Sequence, residues 1–195
     1  RLHWCYNFII KSLWTNMKNE IFDTYSGKEA IIGWDKKIDP TDQTRAFGYI
    51  YGFKTAADEL VDENMPDLLV FPILFDYRQY LELVLKNVYK RNNSNKDFQN
   101  FLKKHGHDLN GIFTDTSPFL MTKYNLTQNN VEDIYEVIKD FVKIDKDSFS
   151  FRYDYTKNNI STLDSKLNGN GELRIDLAAL KSNINFIDNL LGKTY

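Results

Sequence analysis

Cysteine is almost absent from this chain: Cys5 is the only one in 195 residues. No internal disulfide can form, which fits a reducing compartment and gives the cytoplasm as the expected location. Long apolar runs are also missing. The strongest, Leu68 to Phe75, ends at Asp76 and is far too short to cross a bilayer, so no membrane partner is expected. The N-terminal stretch LHWCYNFII is interrupted by Asn7, is followed by Lys11 and precedes no small-residue cleavage site; it reads as mature structure rather than a signal peptide. No Walker loop, dinucleotide-binding glycine motif, CxxC pair, Gly-x-Ser-x-Gly elbow or Cys2His2 spacing occurs. Those absences exclude the motif-marked nucleotide-binding, redox and serine-hydrolase classes, and no cofactor is expected.

What is present suffices for a core. Hydrophobic residues make up 42% and aromatics 15%, so residues 1–195 read as one folded domain rather than a disordered chain. The net charge of −2 gives no global case for nucleic acid. Locally the charges are uneven. Lys86, Lys90, Arg91, Lys96, Lys103 and Lys104 cluster against the single acid Asp97, whereas Asp58, Glu59, Asp62, Glu63 and Asp67 run without a base. The basic cluster could attract phosphates. It also fits the bland reading that cations collect at helix C-termini, where the macrodipole favours them.

Periodicity predicts a mainly α protein, a helical bundle of about six to seven helices with a small C-terminal β-hairpin. Leu2 to Phe22 has helical spacing. A second helix is expected from Thr41 or Asp42 to Glu63, with Phe47, Ile50, Tyr51, Ala57 and Val61 inward. Gly48 and Gly52 lie one turn apart within it, at a cost of about 1 kcal/mol each relative to Ala, which suggests close packing there in the fold or across a homodimer. The longest and most apolar helix should occupy Asp67 to Arg91, becoming regular near Phe71 with Pro72 in its first turn. Val70, Leu74, Tyr77, Leu81, Val84, Leu85 and Val88 share a wide arc there, with Arg78 and Glu82 on its shoulder. Helices are further expected over Ser94–His105, over Leu109–Leu120 with a break at Pro118, after Thr127 or Asn130, and after Asp176.

Between the last two, Phe149, Phe151, Tyr153 and Tyr155 alternate with polar residues, as do Leu173 and Ile175, which predicts two strands. Charge selects the register that sets Arg152 opposite Asp176 and Asp154 opposite Arg174. On that reading Arg152 is a hairpin residue.

His105-Gly106-His107-Asp108 is the most conspicuous chemical cluster. Two imidazoles and a carboxylate could hold a divalent metal. The same residues also read as a helix end, a tight turn with Gly106 at positive φ, and a helix cap. No further ligands converge on them, and no metal is expected. Arg78 and Glu82 read either as a functional pair or as an ion pair at a packed helix boundary.

Four segments carry a resemblance: GYIYGFKTAAD at 48–58, FDYRQYLELVLKNVYKR at 75–91, KKHGHDLNGIF at 103–113, and FSFRYDY with the later ELRIDLAALKSNI. Together they resemble uncharacterised prokaryotic proteins of the HEPN type. The resemblance implies a helical bundle, often dimeric, in a bacterial defence or toxin system, acting on RNA without a metal. In that family an Arg followed four to six residues later by His lies at a dimer cleft. Here no Arg precedes His105 or His107 at that spacing, position 79 is Gln79 where relatives carry His, and position 154 is Asp154 where relatives carry Pro. Carried onto this chain, His107 would be the acid/base, Arg78 the phosphate stabiliser and Glu82 their partner, with Lys86, Lys90, Arg91, Lys103 and Lys104 binding RNA. The rival expectation is a non-catalytic helical module that forms a homodimer or docks a protein partner.

Overall fold

In the computed structural model, which describes residues 30, 43–167, 169 and 171–192, six α-helices follow the helical spacing of the apolar residues. They are α1 (Gln43–Val61), α2 (Pro66–Asn92), α3 (Asn95–His105), α4 (Leu109–Tyr124), α5 (Gln128–Ile144) and α6 (Leu177–Leu191). The helix expected over Leu2–Phe22, with His3 and Cys5, lies outside the described residues, as do Thr41 and Asp42. No described helix is long and apolar enough to cross a membrane.

The central helix α2 packs against α1, α3, α4 and α6. Its wide apolar arc explains why: Ile73, Tyr77, Tyr80, Leu81, Val84, Leu85 and Val88 are fully buried. Each such aliphatic side chain contributes about 1.5–3 kcal/mol by leaving water. The helix starts earlier than expected, with Pro66 at its first position, and continues through Pro72. Pro72 has no N–H for the carbonyl of Leu68, but Leu68 is 73% exposed, so water can serve that carbonyl instead. The break expected at Pro118 is likewise absent. There the freed carbonyl of Thr114 accepts from the Ser117 hydroxyl at 3.3 Å.

The helix ends follow local chemistry. Ser94 accepts from the Asp97 amide, Thr127 and Asn130 form a reciprocal capping box, and Asp176 accepts from the Ala179 amide. Gly106 takes φ +54° and its N–H donates to the carbonyl of Leu102, so the chain turns sharply and re-enters a helix at Leu109. A buried polar cluster joins α1, α2 and α6. Lys54 Nζ reaches Asp58 at 2.6 Å and Asn185 at 2.7 Å, the Tyr77 hydroxyl donates to Asp58, and the Tyr80 hydroxyl to Asp188.

Two expectations need correction. No strand forms among the described residues, and the C-terminal hairpin is absent. Asp145 Oδ1 accepts from the amides of Phe149 and Ser150, and Ser148 adopts φ +59°, so the first segment is committed to a tight turn. Arg152 donates to the carbonyl of Ser148, and Arg174 pairs with Glu172 in its own segment, in place of the expected cross-strand partners. Among the described residues an isolated bridge, Tyr155 with Ser161, is all that remains. The second correction concerns α1. Phe47 and Tyr51, expected to face inward, are 41% and 52% exposed and stack on each other, and a Cβ at Gly48 or Gly52 would meet no described residue within 4 Å. No close packing among the described residues accounts for those glycines.

Gly106 has a backbone conformation that side chains resist. Gly106→Ala is expected to lower unfolding free energy by about 1–3 kcal/mol in denaturant melts, with helix content retained. An unchanged midpoint would contradict the strain assigned to this turn.

Candidate functional site

Residues four apart on a helix share a face, and Arg78, Glu82 and Lys86 form such a row along α2. All three reach the turn between α3 and α4. Arg78 Nη2 donates to the carbonyl of His107 at 2.8 Å, Lys86 Nζ donates to the carbonyl of Gly106 at 2.7 Å, and His107 Nδ1 lies 2.8 Å from Glu82 Oε1. Within the row, Arg78 Nη1 pairs with Glu82 Oε2 at 3.1 Å and Lys86 Nζ with Glu82 Oε1 at 2.7 Å.

The expected pair of Arg78 and Glu82 thus exists, but far deeper than a helix shoulder. Arg78 is completely buried and Glu82 nearly so. The other side of Arg78 holds the end of α5, where Nε donates to the carbonyl of Asp145 at 3.2 Å and Nη2 to that of Lys146 at 3.3 Å. Asp145 Oδ2 sits 3.6 Å from Nε and accepts no hydrogen bond, so its charge is matched through the guanidinium. A carboxylate at a helix C-terminus is electrostatically disfavoured. Asp145 is stabilised there by Arg78 and by the two amides it accepts.

His107 is the part of this network that meets solvent. Its side chain is 55% exposed while its carboxylate partner is 2% exposed. An ionised Glu82 can only accept, so the neutral imidazole donates through Nδ1–H and leaves Nε2 as the open lone pair. No described group bonds Nε2. His105 is unlike it: its ring is almost buried, lies tilted against Phe101, and holds Asp115 Oδ2 through Nε2 at 2.7 Å. A Cβ at Gly111 would fall 2.4 Å from His105 Nδ1, so that glycine makes room for the ring. The two histidines of the conspicuous cluster therefore face different partners. Among the described residues no group of His, Cys, Asp and Glu is placed to hold a metal.

The basic residues divide as well. Lys86 is tied into the network, and Lys104 pairs with Asp115 at 2.6 Å. Lys90, Arg91, Lys96 and Lys103 are exposed and form no ion pair with described residues. Sequence reasoning missed Asp145 and the backbone carbonyls that Arg78 grips. An acid at the exit of a helix was the available signal for the first; carbonyls leave none. No family model, curated protein or solved structure matches this chain.

Burial pushes the Glu82 carboxyl up, but the hydrogen bond and charge of Lys86, with those of His107, outweigh it and hold the group below its ordinary value. Because the folded value lies below the unfolded one, the stabilisation is complete above about pH 4.3 and is lost as pH falls through the depressed folded value. Denaturant melts between pH 3 and 7 should show this acid loss, and Glu82→Gln should flatten it. The variant should also lose about 3–5 kcal/mol at neutral pH, because it removes one of the two buried carboxylates that balance Arg78 and Lys86. Parallel pH curves for the two proteins would exclude Glu82 as the source.

Proposed function

We propose that this chain is a HEPN-like helical protein of a bacterial defence or toxin system that binds RNA and cleaves it without a metal, working as a homodimer. The observation that carries the reading is the exposed His107 imidazole, oriented through Nδ1 by a nearly buried carboxylate at 2.8 Å. Such a pair suits proton transfer, because the carboxylate fixes the tautomer and stabilises the imidazolium that forms.

In the proposed step His107 Nε2 takes the proton of a ribose 2′-hydroxyl, and that oxygen attacks the adjacent phosphorus. The bond from phosphorus to the 5′-oxygen breaks, the leaving oxygen takes a proton from solvent water, and a 2′,3′-cyclic phosphate remains while His107 returns its proton to solvent. Glu82 orients the ring. Arg78 has no exposed surface, so its part is to position His107 through the backbone carbonyl rather than to touch phosphate. Phosphate attraction then falls to the exposed Lys90, Arg91 and Lys103.

The second reading is a non-catalytic module that dimerises or docks a protein. It is favoured by the absence of any Arg at the family spacing before His107, and by the burial of Arg78, which keeps that guanidinium from a bound phosphate. Incubation of purified protein with single-stranded RNA, with and without EDTA, separates the two. The cleavage reading expects EDTA-insensitive products with cyclic phosphate ends and a loss of about 10²–10⁴-fold in His107→Ala. Cleavage that EDTA abolishes, or that survives in His107→Ala, would overturn it; RNA left intact by the native protein would favour the docking module.

A further inference from the structure

A groove of about 300 Å³ lies between α1 and α3, over α2. Tyr49 lines it from α1 and Phe98 from α3, with Ile50, Leu83, Lys86 and Lys90 completing most of the surface; no acid lines it among the described residues. Tyr49 is 59% exposed and has no hydrogen bond or ring contact with a described residue. Lys90 is exposed and likewise without an ion pair among them. Phe98 ends an aromatic column in which it stacks towards Phe101, and Phe101 lies on Tyr89 at 3.8 Å. One wall therefore offers a supported ring, the other an open one, and among the described residues of the lining the only unengaged charge is positive.

That chemistry complements an anion carrying a flat apolar group. The volume sits at the lower end of small-molecule clefts, about 300–1,000 Å³, which fits a single nucleotide better than a helix or a folded partner. Lys86 connects the groove to the other site: it lines the groove, and its ammonium holds Glu82 and the carbonyl of Gly106. An occupant would therefore lie one side chain away from the residues that orient His107.

We propose that this groove seats one unstacked base of a single-stranded RNA against Tyr49, with Lys90 on the adjoining phosphate. The inference rests on the RNA reading above and adds where the strand is gripped. Base stacking on aromatic side chains tolerates any sequence, and each phosphate contact adds salt dependence.

Fluorescence anisotropy of the full chain with a labelled single-stranded oligoribonucleotide provides the test. Tyr49→Ala should weaken binding about tenfold, and Tyr49→Phe should restore it. Lys90→Ala should reduce the slope of log affinity against log salt by about 0.7. Duplex RNA and a nucleoside monophosphate should both compete poorly. Both substituted side chains are exposed, so thermal unfolding should be unchanged and any loss of affinity is local. Tight RNA binding that ignores both substitutions would overturn the groove assignment and leave the RNA reading intact. Competition by the monophosphate as effective as by the oligonucleotide would assign the groove to free nucleotides instead. No affinity of the native protein for any RNA would overturn both.

Discussion

A guanidinium with no exposed surface must find every partner inside the protein, and the arrangement around Arg78 is the consequence. Burying an unpaired charge is prohibitive, so the fold brings to Arg78 one carboxylate from its own helix, a second at 3.6 Å, and three backbone carbonyls. Those carbonyls belong to the turn after α3 and to the exit of α5. Both are places where a chain leaves a helix and has carbonyl oxygens to spare. Arg78 satisfies them and in doing so ties three segments together. None of the three can shift without stranding a buried charge, which makes this a rigid support.

His107 inherits that rigidity. Its carbonyl is held by Arg78, its Nδ1 by Glu82, and the carbonyl just before it by Lys86. The two cations and two carboxylates of the network cancel, so a proton gained by His107 would be the one unbalanced charge, and it would sit beside Glu82. A base supported in this way is preoriented even though its ring stands largely in solvent. The neighbouring groove shares Lys86 with this support, so the strand site and the cleavage site proposed above would be linked through one side chain.

Much of the helical architecture was legible because it rests on short-range chemistry. Apolar spacing marked α1, α2, α5 and α6, end signals marked α3 and α4, and Ser94, Thr127, Asp176 and Gly106 read correctly as boundaries because a cap depends on a few neighbouring atoms. Proline was overweighted. Pro72 and Pro118 stay inside helices because the carbonyls they orphan are served by solvent or by Ser117. The hairpin failed for a tertiary reason. Alternation at 148–155 matches a strand, but Asp145 claims the amides of Phe149 and Ser150 first, and Asp145 is itself placed by Arg78. The candidate site was half legible. Arg78, Glu82 and His107 do converge, while the depth of Arg78 depends on contacts about 70 positions away that no local pattern encodes.

The central claim is that the buried row on α2 holds His107 as the Nδ1–H tautomer, with Nε2 open. Long-range proton–nitrogen correlation spectra of the imidazoles, recorded where His107 is neutral, read this directly. The account predicts a protonated Nδ1 and a bare Nε2 at His107. Protonation at Nε2, or rapid averaging between the two nitrogens, would contradict it.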